Sequence, residues 1–176
     1  MRKILSFAFA ILMATAAFAQ DPILRQRLEI AEFEREENGT HIEVFQMQDN
    51  GKYYLSVGNL GVGTDFVQIQ FDPVFELFIP LGETLSEAIE TMEGMKEFYK
   101  MSRKETKVIE GCFSALYPND KFETVQVTRR QMVTEKLLEF SVEHEGLVRA
   151  TYVNKTEFSS LLSSLRFYKK LHPKVE

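Results

Sequence analysis

An α+β fold, antiparallel sheet carrying two packed amphipathic helices, is what this sequence predicts, and three observations predict it. Two segments, about 84–100 and 156–171, repeat apolar residues at three and four residue intervals. Between and before them run short stretches with the period-two alternation of half-buried strands. Asn-Gly, Pro and Gly residues separate those stretches by hairpin-length gaps.

Residues 1–19 stand apart from that pattern. Arg2 and Lys3 precede the uncharged run 4–13, and Ala17-Phe18-Ala19 satisfies the small-x-small rule of signal peptidase. This is the layout of a bacterial secretory signal peptide, too short in its apolar part to cross a bilayer, which takes about 20 residues. Cleavage near Ala19-Gln20 is expected, leaving residues 20–176 as one α+β domain in the periplasm or outside the cell. That domain divides into possible halves 20–104 and 105–176.

The first strand candidates follow. Residues 22–37 are read as strand, with a helix started by Asp21-Pro22 as the alternative. Asn38-Gly39 and Asn50-Gly51 each suit a two-residue type I′ turn. At the second turn this register sets Asp49 against Lys52 and Val44 against Val57. At the first it sets Glu34 against Glu43, an unfavourable pair. Tyr53, Leu55 and Val57 alternate with Tyr54, Ser56 and Gly58. Strands at 66–71 and 74–79 are broken by Asp72-Pro73, since Pro73 lacks a ladder donor.

Thr84 and Glu87 form a Thr-x-x-Glu capping box that opens the first helix. Leu85, Ala88, Ile89, Met92, Met95 and Tyr99 supply its apolar stripe, and it ends before Arg103. Strands are then expected at 107–116, 122–130, 136–143 and 147–153, with turns at 117–120 and Glu145-Gly146. A final helix over 156–171 presents Phe158, Leu161, Leu162, Leu165 and Tyr168, capped by Asn154 or Thr156 and stopped by His172-Pro173. Each half thus reads as strands followed by one helix. The similar helix ends Lys96–Lys100 and Arg166–Lys170 hint at a pseudo-duplication.

Bulk properties exclude several roles. The formal charge of the whole chain is −5, and losing Arg2 and Lys3 makes the remainder two charges more negative. That balance argues against nucleic acid or anionic lipid as principal partner. Basic pairs at Arg103-Lys104, Arg129-Arg130 and Lys169-Lys170 read as solvated rims of strands and helices. Cys112 is the sole cysteine, so no internal disulfide forms, and its apolar setting suits a core residue.

No motif nominates a catalytic residue, a metal ligand or a cofactor. The glycine-rich stretch 58–65 leads into a strand instead of a helix and lacks the ending of a nucleotide loop. The histidines, His41, His144 and His172, form no ligand pair. Glu76 interrupts an apolar series and reads as the outward face of an edge strand. Its other reading is a partly buried acid of the kind paired in glycosidases, with no partner acid assigned.

The expected function is accordingly a non-catalytic exported protein that binds a macromolecule or ligand in the cell envelope. Its contact residues are expected to be Tyr53 and Tyr54, one of them exposed, together with Gly61, Gly63 and Asp65 of the glycine-rich loop. Two alternatives accompany it. One is an exported hydrolase whose site assembles from distant residues, and the other an assembly component that uses a strand edge.

Overall fold

A computed structural model of the chain describes residues 27–35, 40–59, 75–114, 124–144 and 146–174. The expected leader, the Asn38-Gly39 turn, the 66–71 strand, Pro73, the 117–120 turn, and Gly61, Gly63 and Asp65 lie outside these residues.

The fold is α+β. In chain order it comprises β1 (Arg27–Arg35), β2 (Thr40–Met47), β3 (Tyr53–Asn59), β4 (Phe75–Gly82) and helix α1 (Leu85–Lys96), which tightens into a 3-10 turn at Glu97–Lys100. There follow β5 (Thr106–Glu110), β6 (Phe113–Ser114), β7 (Thr124–Met132), β8 (Glu135–His144), β9 (Leu147–Asn154) and helix α2 (Lys155–Leu171). The first sheet has the order β1-β2-β3-β4-β6 and the second β5-β7-β8-β9, with every pairing antiparallel. Residues 27–35 are strand, as the preferred reading of the 22–37 segment had it.

The β1–β2 and β2–β3 pairings both take a register other than the one two-residue Asn-Gly turns would set. Met47 N donates to Lys52 O at 2.9 Å and Gly51 N to Met47 O at 2.8 Å, so the loop holds four residues. Only Gly51 has a positive φ, +69°, whereas a type I′ turn needs Asn50 there too. Val44 therefore pairs with Leu55 in place of Val57. The shift is two residues, which preserves every face assignment. Lys52 bonds Glu83 at 3.0 Å instead of meeting Asp49. Between β1 and β2 the register places Glu32, not Glu34, beside Glu43.

Both helices start from capping boxes. Glu87 N donates to Thr84 Oγ1 at 3.1 Å while the Glu87 carboxylate accepts from Thr84 N. Gly82 makes room for this, since a Cβ there would sit 2.6 Å from the Glu87 Cβ. At α2, Asn154 Oδ1 accepts from Glu157 N at 2.8 Å and Glu157 Oε2 from Asn154 N at 2.9 Å. In both cases the preceding strand, β4 or β9, leads directly into the capped helix.

One expected strand is split. The 107–116 segment breaks at Gly111-Cys112, so β5 belongs to the second sheet and β6 to the first. Cys112 sits in the core at this crossing, and burial pushes its thiol up to about 12.

A single apolar cluster joins the two halves. It takes Val44, Leu55, Val57, Leu77 and Ile79 from the first sheet and Val127, Leu138, Phe140 and Val153 from the second. Leu85, Ala88, Met92 and Met95 of α1 and Phe158, Leu161, Leu162 and Leu165 of α2 complete it. Each large side chain taken from water here stabilises the fold by about 1.5–3 kcal/mol. The first sheet also buries its opposite face, through Phe45, Met47, Tyr54 and Phe78 packed with Phe113. The second sheet leaves its opposite face largely to solvent.

A candidate ligand-binding cleft

On the outward face of the second sheet, Val108, Met132, Val148 and Tyr152 are 59%, 64%, 69% and 46% exposed. At one end this face meets a turn that shapes the site. Glu105 N donates to Ser102 O at 3.0 Å, and Lys104 holds φ +69°. These are the marks of a type II turn with Lys104 at the position glycine normally fills. Lys104 N donates to Arg129 O at 2.9 Å and Arg129 N to Glu105 O at 3.0 Å. Two residues of one strand thus oppose one of its neighbour, forming a β-bulge of the kind that redirects side chains. Glu105 secures the turn by accepting from Ser102 N at 2.9 Å.

The bulge brings Arg103 and Lys104 to the lip of a cleft of about 420 Å³. Arg130, Gln131 and Met132 come from the end of β7, Leu137 and Glu139 from the start of β8, and Tyr152 from β9. Arg130 grips Glu139 with two hydrogen bonds, Nε to Oε2 at 2.9 Å and Nη2 to Oε1 at 2.7 Å. The Tyr152 hydroxyl interacts with the Glu139 carboxylate as well. The Arg130 bonds hold Glu139 below the usual carboxylate range, while burial, followed by the neighbouring carboxylate, raises the Tyr152 phenol.

Charge in the cleft is unbalanced. Glu139 is committed to Arg130, whereas the Arg103 and Lys104 side chains have no ion-pair or hydrogen-bond partner among the described residues. Leu137, itself buried, and Met132 supply apolar surface beside them. Cations over an apolar wall, with a tyrosine at one side, suit an anion that carries an apolar or aromatic body.

The residues expected to make contacts are placed elsewhere. Tyr53 and Tyr54 do point to opposite faces of β3, but both are buried, at 0% and 7% exposure. Tyr53 enters the central core, and Tyr54 stacks on Phe45 with ring centroids 5.8 Å apart. The expectation of one exposed tyrosine fails because the first sheet is covered on both faces.

Glu76 is also buried, and β4 lies between β3 and β6, so it is not an outward residue on an edge. Ser56 Oγ donates to Glu76 Oε1, and Ser56 pairs across the ladder with the buried Glu43. Glu43 and Glu76 thus stand on the two strands that flank Ser56. Exposures of 1% for Glu43 and 0% for Ser56 leave a substrate no access to this pair.

Sequence reading passed over Arg103, Lys104 and Arg130 as rim residues. The signal available was the two basic pairs themselves; what joins them is the β5–β7 register, with Thr106 opposite Thr128 and Lys104 N donating to Arg129 O.

A second, shallower depression of about 630 Å³ lies along α2, lined by Lys155, Thr156, Ser159, Ser160 and Ser163. It offers hydroxyls and one cation, and no large apolar side chain lines it. Among the described residues, no group of three or more His, Cys, Asp or Glu side chains is placed to hold a metal ion. His172 stacks on Tyr168 with ring centroids 4.4 Å apart. The chain matches no known protein family, no curated protein and no solved structure.

Proposed function

We propose that this is an exported, non-catalytic protein of the cell envelope that binds an anionic ligand in the cleft of its second sheet. The observation that carries the reading is the pair of unpartnered cations, Arg103 and Lys104, held at the cleft by a strained backbone turn. A lysine in the left-handed region costs on the order of 1–3 kcal/mol, and such strain gathers at functional sites. The wider chain is acidic, so this concentration of positive charge runs against the composition. Export rests on the leader-like residues 1–19, and the envelope setting follows from export.

The ligand class is a carboxylate on an apolar or aromatic body. Carboxylate oxygens suit the Arg103 guanidinium and Lys104 ammonium, and the body suits Leu137, Met132 and the Tyr152 ring. Nothing in the cleft has to bond covalently with such a ligand. Capture and presentation are the whole of the proposed activity.

Calorimetric titration of the purified protein with benzoate tests this. Saturable binding that weakens about tenfold or more in the Arg103→Ala/Lys104→Ala protein supports the reading, a loss of about 1.4 kcal/mol. Binding unaffected by that double substitution, or no binding by the parent protein, refutes it.

A further inference from the structure

The strand that begins at the cationic turn is a sheet edge among the described residues, where β5 pairs with β7 alone. Thr106, Lys107, Val108 and Glu110 are exposed. The bonds at the bulge also fix which backbone groups are free. Glu105 O is turned toward β7, accepting from Arg129 N. Alternation along an antiparallel ladder then turns Lys107 and Ile109 toward β7 and leaves Thr106, Val108 and Glu110 with N–H and C=O groups directed outward.

We infer that the β5 edge receives an extended peptide by strand addition, and that the Arg103–Lys104 turn receives that peptide's free C-terminal carboxylate. This inference rests on the cleft reading above and names its ligand class. A chain adding antiparallel to β5 enters beside Glu110 and runs toward Thr106. Its C-terminal end then arrives at the turn where the two unpartnered cations stand. Main-chain hydrogen bonds along the edge supply affinity, and the charged end fixes direction and register. About five residues of peptide, at roughly 3.3 Å each, span the edge.

Charge decides between occupants. An exposed lysine on an edge strand commonly discourages pairing with other chains. Lys107 here opposes a second copy of the same strand, because antiparallel self-pairing centred on Val108 brings the two Lys107 side chains close across the seam. The same lysine favours a peptide ending in a carboxylate.

The test uses fluorescence anisotropy with a labelled six-residue alternating valine–threonine peptide, prepared as the free acid and as the C-terminal amide. The free acid is expected to bind about tenfold or more tightly than the amide, with the Arg103→Ala/Lys104→Ala protein reducing it to the amide's level. Val108→Pro removes one outward donor without touching the β7 ladder and is expected to abolish capture. A peptide N-methylated at alternate nitrogens gives the same readout with the protein unaltered, so a misfolded proline variant does not decide the matter.

Benzoate reaches the cleft without the edge and separates the two readings. Benzoate binding retained by Val108→Pro while peptide capture is lost supports the inference. Peptide capture unaffected by both Val108→Pro and N-methylation overturns it and leaves the cleft reading standing. Failure of benzoate to bind the parent protein removes the cleft reading and this inference with it. Equal binding of acid and amide overturns the carboxylate assignment. Self-association that Val108→Pro dissolves, seen by sedimentation, assigns the edge to a second copy and overturns it likewise.

Discussion

The Tyr99 hydroxyl lies 3.0 Å from the carbonyl oxygen of Val153 and 3.1 Å from that of Asn154, so one donor from the first half holds the strand-to-helix junction of the second. Asn154 is also the cap of α2, and the Tyr99 ring packs edge-on against Phe158 at 5.8 Å. Replacing Tyr99 with Phe keeps the ring and leaves both buried carbonyls without this donor. A loss of about 1–3 kcal/mol is expected in urea denaturation. An unchanged midpoint would mean that the junction is held by packing alone.

The caps should behave independently of that bond. Asn154→Ala removes the acceptor for Glu157 N at the helix that contributes Phe158, Leu161, Leu162 and Leu165 to the core. Thermal unfolding should show a cost of about 1 kcal/mol, the usual value for a lost polar cap. Thr84→Ala should do the same at α1 for the same reason.

Alkaline pH should destabilise the fold in a defined window. Burial raises the Cys112 thiol from an ordinary value of 9.0 to about 12. Below pH 9 the thiol is protonated in both folded and unfolded chains, so its contribution is complete. Between 9 and 12 only the unfolded chain ionises, and stability falls by up to about 1.4 kcal/mol per pH unit. Tyr99, also raised by burial, adds a decline of the same sign from about pH 10 upward. Unfolding measured from pH 8 to 11 should be less pH-dependent in Cys112→Ala than in the parent.

Lys104 couples stability to binding. Lys104→Gly relieves the left-handed strain and removes a cleft cation in one change. Because glycine also gives up more conformational freedom on folding, a net gain of only about 0.5–1 kcal/mol is expected. Benzoate affinity should fall in the same protein. A variant both less stable and equally able to bind would deny the turn its assigned role.

Glu139→Gln tests the electrostatics of the cleft. The Arg130–Glu139 pair is partly exposed, with 40% and 12% of its side-chain surface accessible, so its removal should cost under about 1 kcal/mol. With Glu139 held below its usual range, the pair's contribution is present above that range and fades as pH falls through the depressed value. Anion affinity should rise in Glu139→Gln, since Arg130 loses its internal carboxylate and becomes available to the ligand.

The sequence disclosed most of the architecture because its strongest signals are local. The Thr84–Glu87 box and the 156–171 stripe depend on contacts a few residues apart, and both stand as read. Hairpin register was less legible. Asn50-Gly51 marks the turn, yet which residue adopts positive φ is settled by how the strands pack, and Gly51 alone does so. The crossing at Gly111-Cys112 was invisible to periodicity, since β5 and β6 keep strand character while changing sheets. Tyr53 and Tyr54 misled because alternation tells which face a side chain takes, not whether that face is covered. The cleft cations were legible only through pairing, a relation between segments that no local window contains.

Amide chemical-shift mapping tests the central claim most directly, by following the backbone resonances of the isotope-labelled protein through a benzoate titration. The account predicts saturating shifts concentrated at residues 102–106, 130–132, 137–139 and 152, and weakened by Arg103→Ala/Lys104→Ala. Shifts confined to the Lys155–Ser163 surface of α2, or none that saturate, would contradict it.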